Sequence, residues 1–238
     1  MEFPDWVVAR VLARQGCLHP YDRLEAATTA FVVIDLQNYY TQPGYQGECA
    51  PARATFPAVN RLAHRLRAAG GHVIWVQTCS DGADAFWSHH HAHMLTPERS
   101  ARRLRELAAG HDGFALAPGL TPHDADRRVI KRCYSALAPG SSDLHAVLQA
   151  RGIRTVLIGG TVTNVCCEST ARDAMMMDYA TIMVHDALSA LTPHEHEHAL
   201  QNWMLFFGDV LGVDDVAARL TASPAAQASG IHAMTVSG

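Results

Sequence analysis

Several signals are missing from this chain, and each absence narrows what it does. No stretch approaches about 18 consecutive apolar residues, so no membrane-spanning helix is expected. There is no dense run of lysine and arginine, and the formal net charge is only −4, which excludes nucleic acid and anionic membrane as partners. The six cysteines (Cys17, Cys49, Cys79, Cys133, Cys166, Cys167) form no CxxC pair, which argues for reduced thiols rather than a disulfide framework or zinc site. GxGxxG is absent, so Gly159-Gly160 is not a dinucleotide fingerprint. GxSxG is absent too, so a serine hydrolase elbow is unsupported. Met1-Glu2-Phe3-Pro4-Asp5 is acidic where a secretory signal is basic, and a cytoplasmic location is expected.

What remains is an alternation of short apolar runs and helix-like stretches. Phe31–Ile34, His72–Gln77, Arg128–Lys131, Thr155–Ile158 and Thr181–His185 read as strands, with a short last strand and helix within Val210–Leu220. Between them, Val59, Leu62, Leu66 and Ala69 fall on one helical face, and helices are also expected over Arg99–Ala109, Asp143–Ala150 and Pro193–Phe207. Near-continuous apolar strands joined by helices predict right-handed βαβ units in a single-domain, three-layer α/β/α fold, its mostly parallel, doubly wound sheet having about six strands. The expected organisation is an N-terminal arm over 1–27, the domain over 28–220 and a tail over 221–238. Thr78–Thr96, aromatic and rich in histidine, reads as a long loop and, with Phe86 and Trp87, as a lid.

Ligands of such sheets bind at the carboxyl ends of the strands. Three reactive groups are expected there: Asp35 after Phe31–Ile34, Lys131 after Arg128–Ile130, and Cys166 after Thr155–Ile158. Cys166 is placed in the first turn of a helix, where free N–H groups and the helix dipole favour thiolate. Asp35 would take the thiol proton, Lys131 would offset negative charge and Cys166 would attack a carbonyl. Taken singly, each has a plainer explanation, as a helix cap, a solvated charge or a core thiol. Together, ending three different strands, they read as a site. Tyr39, Trp75, Phe86 and Trp87 are pocket-wall candidates by position, and no arginine stands out as a carboxylate binder.

The segments Val33–Asn38, Ile130–Ala136 and Gly160–Ala174 resemble the three signature blocks of the isochorismatase-like cysteine hydrolases in content, order and separation. The resemblance implies a catalytic triad of Asp35, Lys131 and Cys166. It also implies a cis peptide between Thr161 and Val162, and an oxyanion hole from the Val162 and Cys166 N–H groups. The enzyme implied is a cytoplasmic homo-oligomer, dimeric or tetrameric, that hydrolyses non-peptide C–N bonds of a small-molecule substrate without a cofactor. True isochorismatases lack the cysteine. Nicotinamidases add a metal site soon after the first block, where Tyr39–Pro51 here has no histidine, so no metal is expected. Thr163–Ala174 is most similar to the ureidoacrylate amidohydrolase, biuret hydrolase and N-carbamoylsarcosine amidohydrolase branch, which implies a ureido, carbamoyl or amide substrate and a thioester-type intermediate. Maleamate-, nicotinamide- or cyclic-amide-type amidases are the alternatives within the family. A thiol redox protein using Cys166 and Cys167 is the alternative outside it.

Two histidine clusters stand apart. His194-Glu195-His196-Glu197-His198 satisfies HExxH, yet Thr192-Pro193 ahead of it reads as an N-cap and first helical residue, which makes the motif a solvated helix start. His89, His90, His91 and His93 belong to the expected lid loop.

Overall fold

The computed structural model describes residues 1–222. The elements run α1 (Asp5–Gln15), β1 (Leu24–Glu25), β2 (Thr29–Ile34), α2 (Asn38–Thr41), α3 (Phe56–Ala68), β3 (His72–Thr78), α4 (Ala83–Phe86), α5 (Pro97–Glu106) and β4 (Arg127–Lys131). They continue with α6 (Leu144–Ala150), β5 (Thr155–Thr161), α7 (Glu168–Met176), β6 (Ala180–Ser189), α8 (Pro193–Phe206), β7 (Asp209–Leu211), α9 (Val213–Arg219) and β8 (Leu220–Thr221). The expected tail lies outside the described residues from position 223 onward. Among the described residues no helix is long and apolar enough to cross a membrane.

Six strands form one all-parallel sheet in the order β4-β3-β2-β5-β6-β7. The chain winds outward from β2 through β3 to β4, crosses back to β5, and winds the other way to β7. This is the doubly wound sheet expected from the apolar runs, and its switch point lies between β2 and β5. All six residues of β2 are buried because helices cover both faces. Ala30, Val32 and Ile34 pack with Val7 and Val11 of α1, Leu148 of α6, Ala171 of α7 and Trp203 of α8. Phe31 and Val33 face the other way, onto Val59, Leu62 and Leu66 of α3 and Val216 of α9. The period of two along the strand thus meets a period near 3.6 on each helix.

The N-terminal segment joins this body. Besides Val7 and Val11 in the core, β1 pairs in parallel with β8, Leu24 opposite Leu220 and Glu25 opposite Thr221.

Several readings need correction, β5 and β6 also running on to Thr161 and Ser189. β3 extends one residue further than expected, to Thr78, because Thr78 pairs with Lys131 at the end of β4. The expected long loop is partly helical, with α4 and a π-helical turn over His90–Met94. Trp75 is no pocket wall. It is fully buried beside Phe31 and Leu62, and its indole Nε1 donates to Asp126 Oδ2 at 2.7 Å. Trp75→Phe is therefore expected to cost about 1–3 kcal/mol in denaturant unfolding, from lost volume and the lost indole hydrogen bond, Asp126 Oδ2 keeping its bonds from Arg67 and His123 N. The kcat/KM of the folded fraction should stay unchanged, and a fall there would return Trp75 to the crevice.

Candidate active site

At the carboxyl edge of the sheet, the ends of β2, β3, β4 and β5 come together. Ile34 is in register with Val76 and Gly160, and Thr78 with Lys131. Directly after β2, Asp35 continues the ladder through its N–H to Val76 O at 2.9 Å, then turns away at φ 57°. Few residues other than glycine hold that left-handed conformation, and Asp tolerates it better than most. Across from it, Gly160 adopts φ 116°, and a Cβ there would run into the Ile34 backbone carbonyl. A glycine is therefore required for β5 to lie this close to the strand that presents Asp35.

Lys131 is about as buried as a lysine can be, with 1% of its side chain exposed, and Asp35 is fully buried. Its ammonium lies 2.8 Å from Asp35 Oδ2, 2.6 Å from Thr78 Oγ1 and 3.0 Å from Cys133 O. These three contacts use the three donors of the ammonium. The Thr78 hydroxyl in turn donates to Asp35 Oδ1 at 2.8 Å, so it bridges the two charges. Burial alone would lower the Lys131 pKa, but the charge of Asp35 and the neighbouring Cys166 and Tyr40 outweigh it and hold the amine protonated. Gln37 fastens the bridge by accepting from Thr78 N at 2.7 Å and donating to Thr78 O at 3.0 Å.

Cys166 lies in a π-helical turn, Thr163–Cys167, that leads into α7, rather than in the first turn of that helix. Both Cys166 and Cys167 are buried. Burial raises the Cys166 pKa most and the Lys131 charge opposes it. The charge of Asp35 and its hydrogen bond to the thiol add to the rise, Arg103 pulls it down, and the result is a thiol pushed up to about 12. Burial and Asp35 favour the protonated thiol, the opposite direction to the thiolate bias expected of a helix start. A protonated thiol beside an ion-paired carboxylate needs a base at the moment of attack. The Thr161–Val162 peptide bond is cis.

The loop after β4 is pinned to α7. Ser135 Oγ donates to Asp173 Oδ2 at 2.6 Å, Ala136 N to Thr170 Oγ1 at 3.1 Å, and Thr170 Oγ1 to Cys166 O at 2.8 Å. On the far side, Thr163 Oγ1 and His196 Nδ1 lie 2.9 Å apart and tie the cysteine turn to α8. The second cluster is the helix start it reads as. Glu195 and Thr192 form a capping box, and the exposed His194 and His198 rings pack on each other at 3.9 Å.

Sequence reasoning passed over Thr78, Tyr40 and Arg103. Tyr40 is buried among Arg103, Asp35, Cys166 and Lys131. Thr78 was signalled only by its place one residue beyond an apolar run. Trp87 covers this edge, stacked on His90 at 3.9 Å and edge-on to Tyr134 at 4.6 Å.

Residues 29–215 match the Isochorismatase domain family. The chain is 36% identical over 208 residues to a ureidoacrylate amidohydrolase RutB of Methylorubrum extorquens, a match covering 82% of each protein. It is 34% identical over 212 residues to the protein of the same name from Rhizobium rhizogenes, covering 83% of this chain and 85% of that one. Its fold superposes with a TM-score of 0.73 on a cysteine hydrolase from Pseudomonas syringae pv. phaseolicola, 26% identical, covering 82% and 93% of the two chains.

Two outcomes test the site. Thr78→Val is expected to lower kcat/KM at least about tenfold and to cost about 1–3 kcal/mol in stability. Unchanged activity would mean that the hydroxyl bridge does not position the pair. The second concerns acid. Burial, then the Arg103 and His91 charges, lower the His90 pKa to about 4, whereas an unfolded histidine takes its proton near pH 6.5. Between those values the unfolded chain binds the additional proton, so stability falls as pH drops from about 6.5 to 4. Thermal unfolding of His90→Gln should show a shallower fall than wild type across that window. Superimposable profiles would refute the His90 contribution.

Proposed function

This chain belongs to the isochorismatase family and is a hydrolase of C–N amide bonds, and we propose that it acts through Cys166 as a covalent nucleophile on a small ureido, carbamoyl or amide compound. The observation that carries this reading is the buried Cys166 thiol, in the turn after β5, beside a carboxylate held in place by Lys131 and Thr78. Ureido compounds rank first because the curated relatives at 34–36% identity are named ureidoacrylate amidohydrolases.

Asp35 removes the thiol proton as Cys166 Sγ attacks the substrate carbonyl carbon. The C–S bond forms, the carbonyl electron pair moves onto oxygen, and the N–H groups of Val162 and Cys166 hold that oxyanion. The pair collapses back, the C–N bond breaks, and Asp35 returns its proton to the departing nitrogen, which leaves as ammonia or an amine. A water deprotonated by Asp35 then attacks the thioester or thiocarbamate carbon, and Cys166 leaves with a proton restored to sulfur. Lys131, whose three donors are occupied, stabilises Asp35 whenever its carboxylate is deprotonated and makes no direct contact with substrate.

Ammonia release across a panel of ureido, biuret, carbamoyl-amino-acid and simple amide substrates tests the reading. Cys166→Ala and Cys166→Ser are expected to lose at least about 10²-fold in kcat/KM, while Cys167→Ala stays within a few-fold of wild type. Near-normal activity in Cys166→Ala would exclude covalent catalysis at this position, and an equal loss in Cys167→Ala would make the neighbouring thiol the nucleophile.

A further inference from the structure

Helix α5 carries several arginines, and one behaves unlike its neighbours. Arg102 pairs with Glu106 at 2.6 Å and Arg105 approaches the same carboxylate at 3.8 Å. Arg103, about 100° away from Arg102 around the helix, is half-buried against Tyr39 and Tyr40. Its guanidinium sits over the Tyr39 ring at 5.8 Å and Nη2 donates to Tyr40 OH at 3.3 Å. Its charge acts on Cys166, Tyr134, His90 and His91. Among the described residues no carboxylate forms an ion pair with it.

The crevice charges can be summed. Asp35 and Lys131 cancel at 2.8 Å. The Cys166 thiol and the Tyr40 and Tyr134 phenols stay protonated and neutral, while burial keeps His90 and His91 unprotonated near neutral pH. The remaining full charge on these groups is that of Arg103, which has no carboxylate paired with it among the described residues. A cation partly withdrawn from water without a counter-ion is unfavourable. A bound anion would remove that penalty. The guanidinium is a planar fork of five N–H donors, and the tyrosine hydroxyl occupies one, leaving an edge suited to bidentate pairing with a carboxylate.

We propose that Arg103 reads a carboxylate on the substrate, so that the enzyme selects ureido or carbamoyl acids over their uncharged counterparts. This rests on the crevice beside Cys166 being the amidohydrolase site, and it adds a charge requirement that the triad alone does not impose. The competing role for Arg103 is to ease ionisation of the thiol, which would act on charged and uncharged substrates alike.

Binding separates the proposal from catalysis. Calorimetric titration of Cys166→Ala with 3-ureidopropionate and with 3-ureidopropionamide should show the acid binding about tenfold or more tightly. The preference should vanish in Cys166→Ala/Arg103→Gln and survive in part in Cys166→Ala/Arg103→Lys, which keeps the charge and loses the fork. In the active enzyme, Arg103→Gln should lower kcat/KM for the acid about tenfold or more beyond any loss on the amide, the excess appearing in KM. Equal binding of the two ligands by Cys166→Ala, or an equal loss of kcat/KM on both substrates in Arg103→Gln, would overturn the assignment. An Arg103-dependent preference in binding, with no ammonia released from any substrate, would leave Arg103 standing and sink the hydrolase reading. Turnover confined to uncharged amides would do the reverse.

Discussion

A buried ammonium 2.8 Å from a buried carboxylate sets the terms for the rest of this structure. Removing both charges from water costs several kcal/mol per ion, and their attraction offsets that only when every donor and acceptor around them is placed well. Here Thr78 and Cys133 O satisfy the rest of Lys131, and Thr78 hands its own proton to Asp35. That arrangement needs the carboxyl ends of β2, β3 and β4 to terminate at one level, which the parallel register provides through Ile34 opposite Val76 and Thr78 opposite Lys131. Gly160 then brings β5 against the same point.

Given that constraint, the chemistry of the cysteine turn follows from solvent exclusion more than from local backbone. A helix start stabilises a thiolate by a modest amount, whereas burial against Asp35 keeps the Cys166 thiol protonated. The Asp35 carboxylate beside it is ion-paired with Lys131 at 2.8 Å. The contacts Ser135–Asp173 and Ala136–Thr170 lock the loop after β4 to the helix after the cysteine. Two distant parts of the chain thereby hold Lys131 and Cys166 in one geometry.

Much of the fold was legible in the chain because buried parallel strands leave an unusually clear trace. Runs such as Phe31–Ile34 and Thr155–Ile158 are apolar at nearly every position, and the helices between them show a periodic apolar face. The reactive residues at the strand ends were legible for the same reason, since a polar residue that terminates an apolar run stands out. Thr78 did not stand out, because a threonine after Gln77 looks like the start of a loop until its partner Lys131 is known. Trp75 was misjudged as a wall since strand alternation tells which residues share a face but not which face meets solvent. The histidines of 89–93 formed a cluster in sequence, yet the structure distributes them, with His90 stacked on Trp87 and His91 Nδ1 2.8 Å from Ser100 Oγ.

Sequence by itself determined the order of strands and helices, the glycine and cysteine turn after β5, and that Asp35 and Lys131 end apolar runs, because these depend on local pattern and residue type. The tertiary structure decided which faces are buried, how far the thiol is from ionising, that Thr78 bridges the charge pair, and which arginine of α5 turns inward without a counter-ion. Those properties arise from desolvation and from distances between residues far apart in the chain, and no local pattern encodes either one.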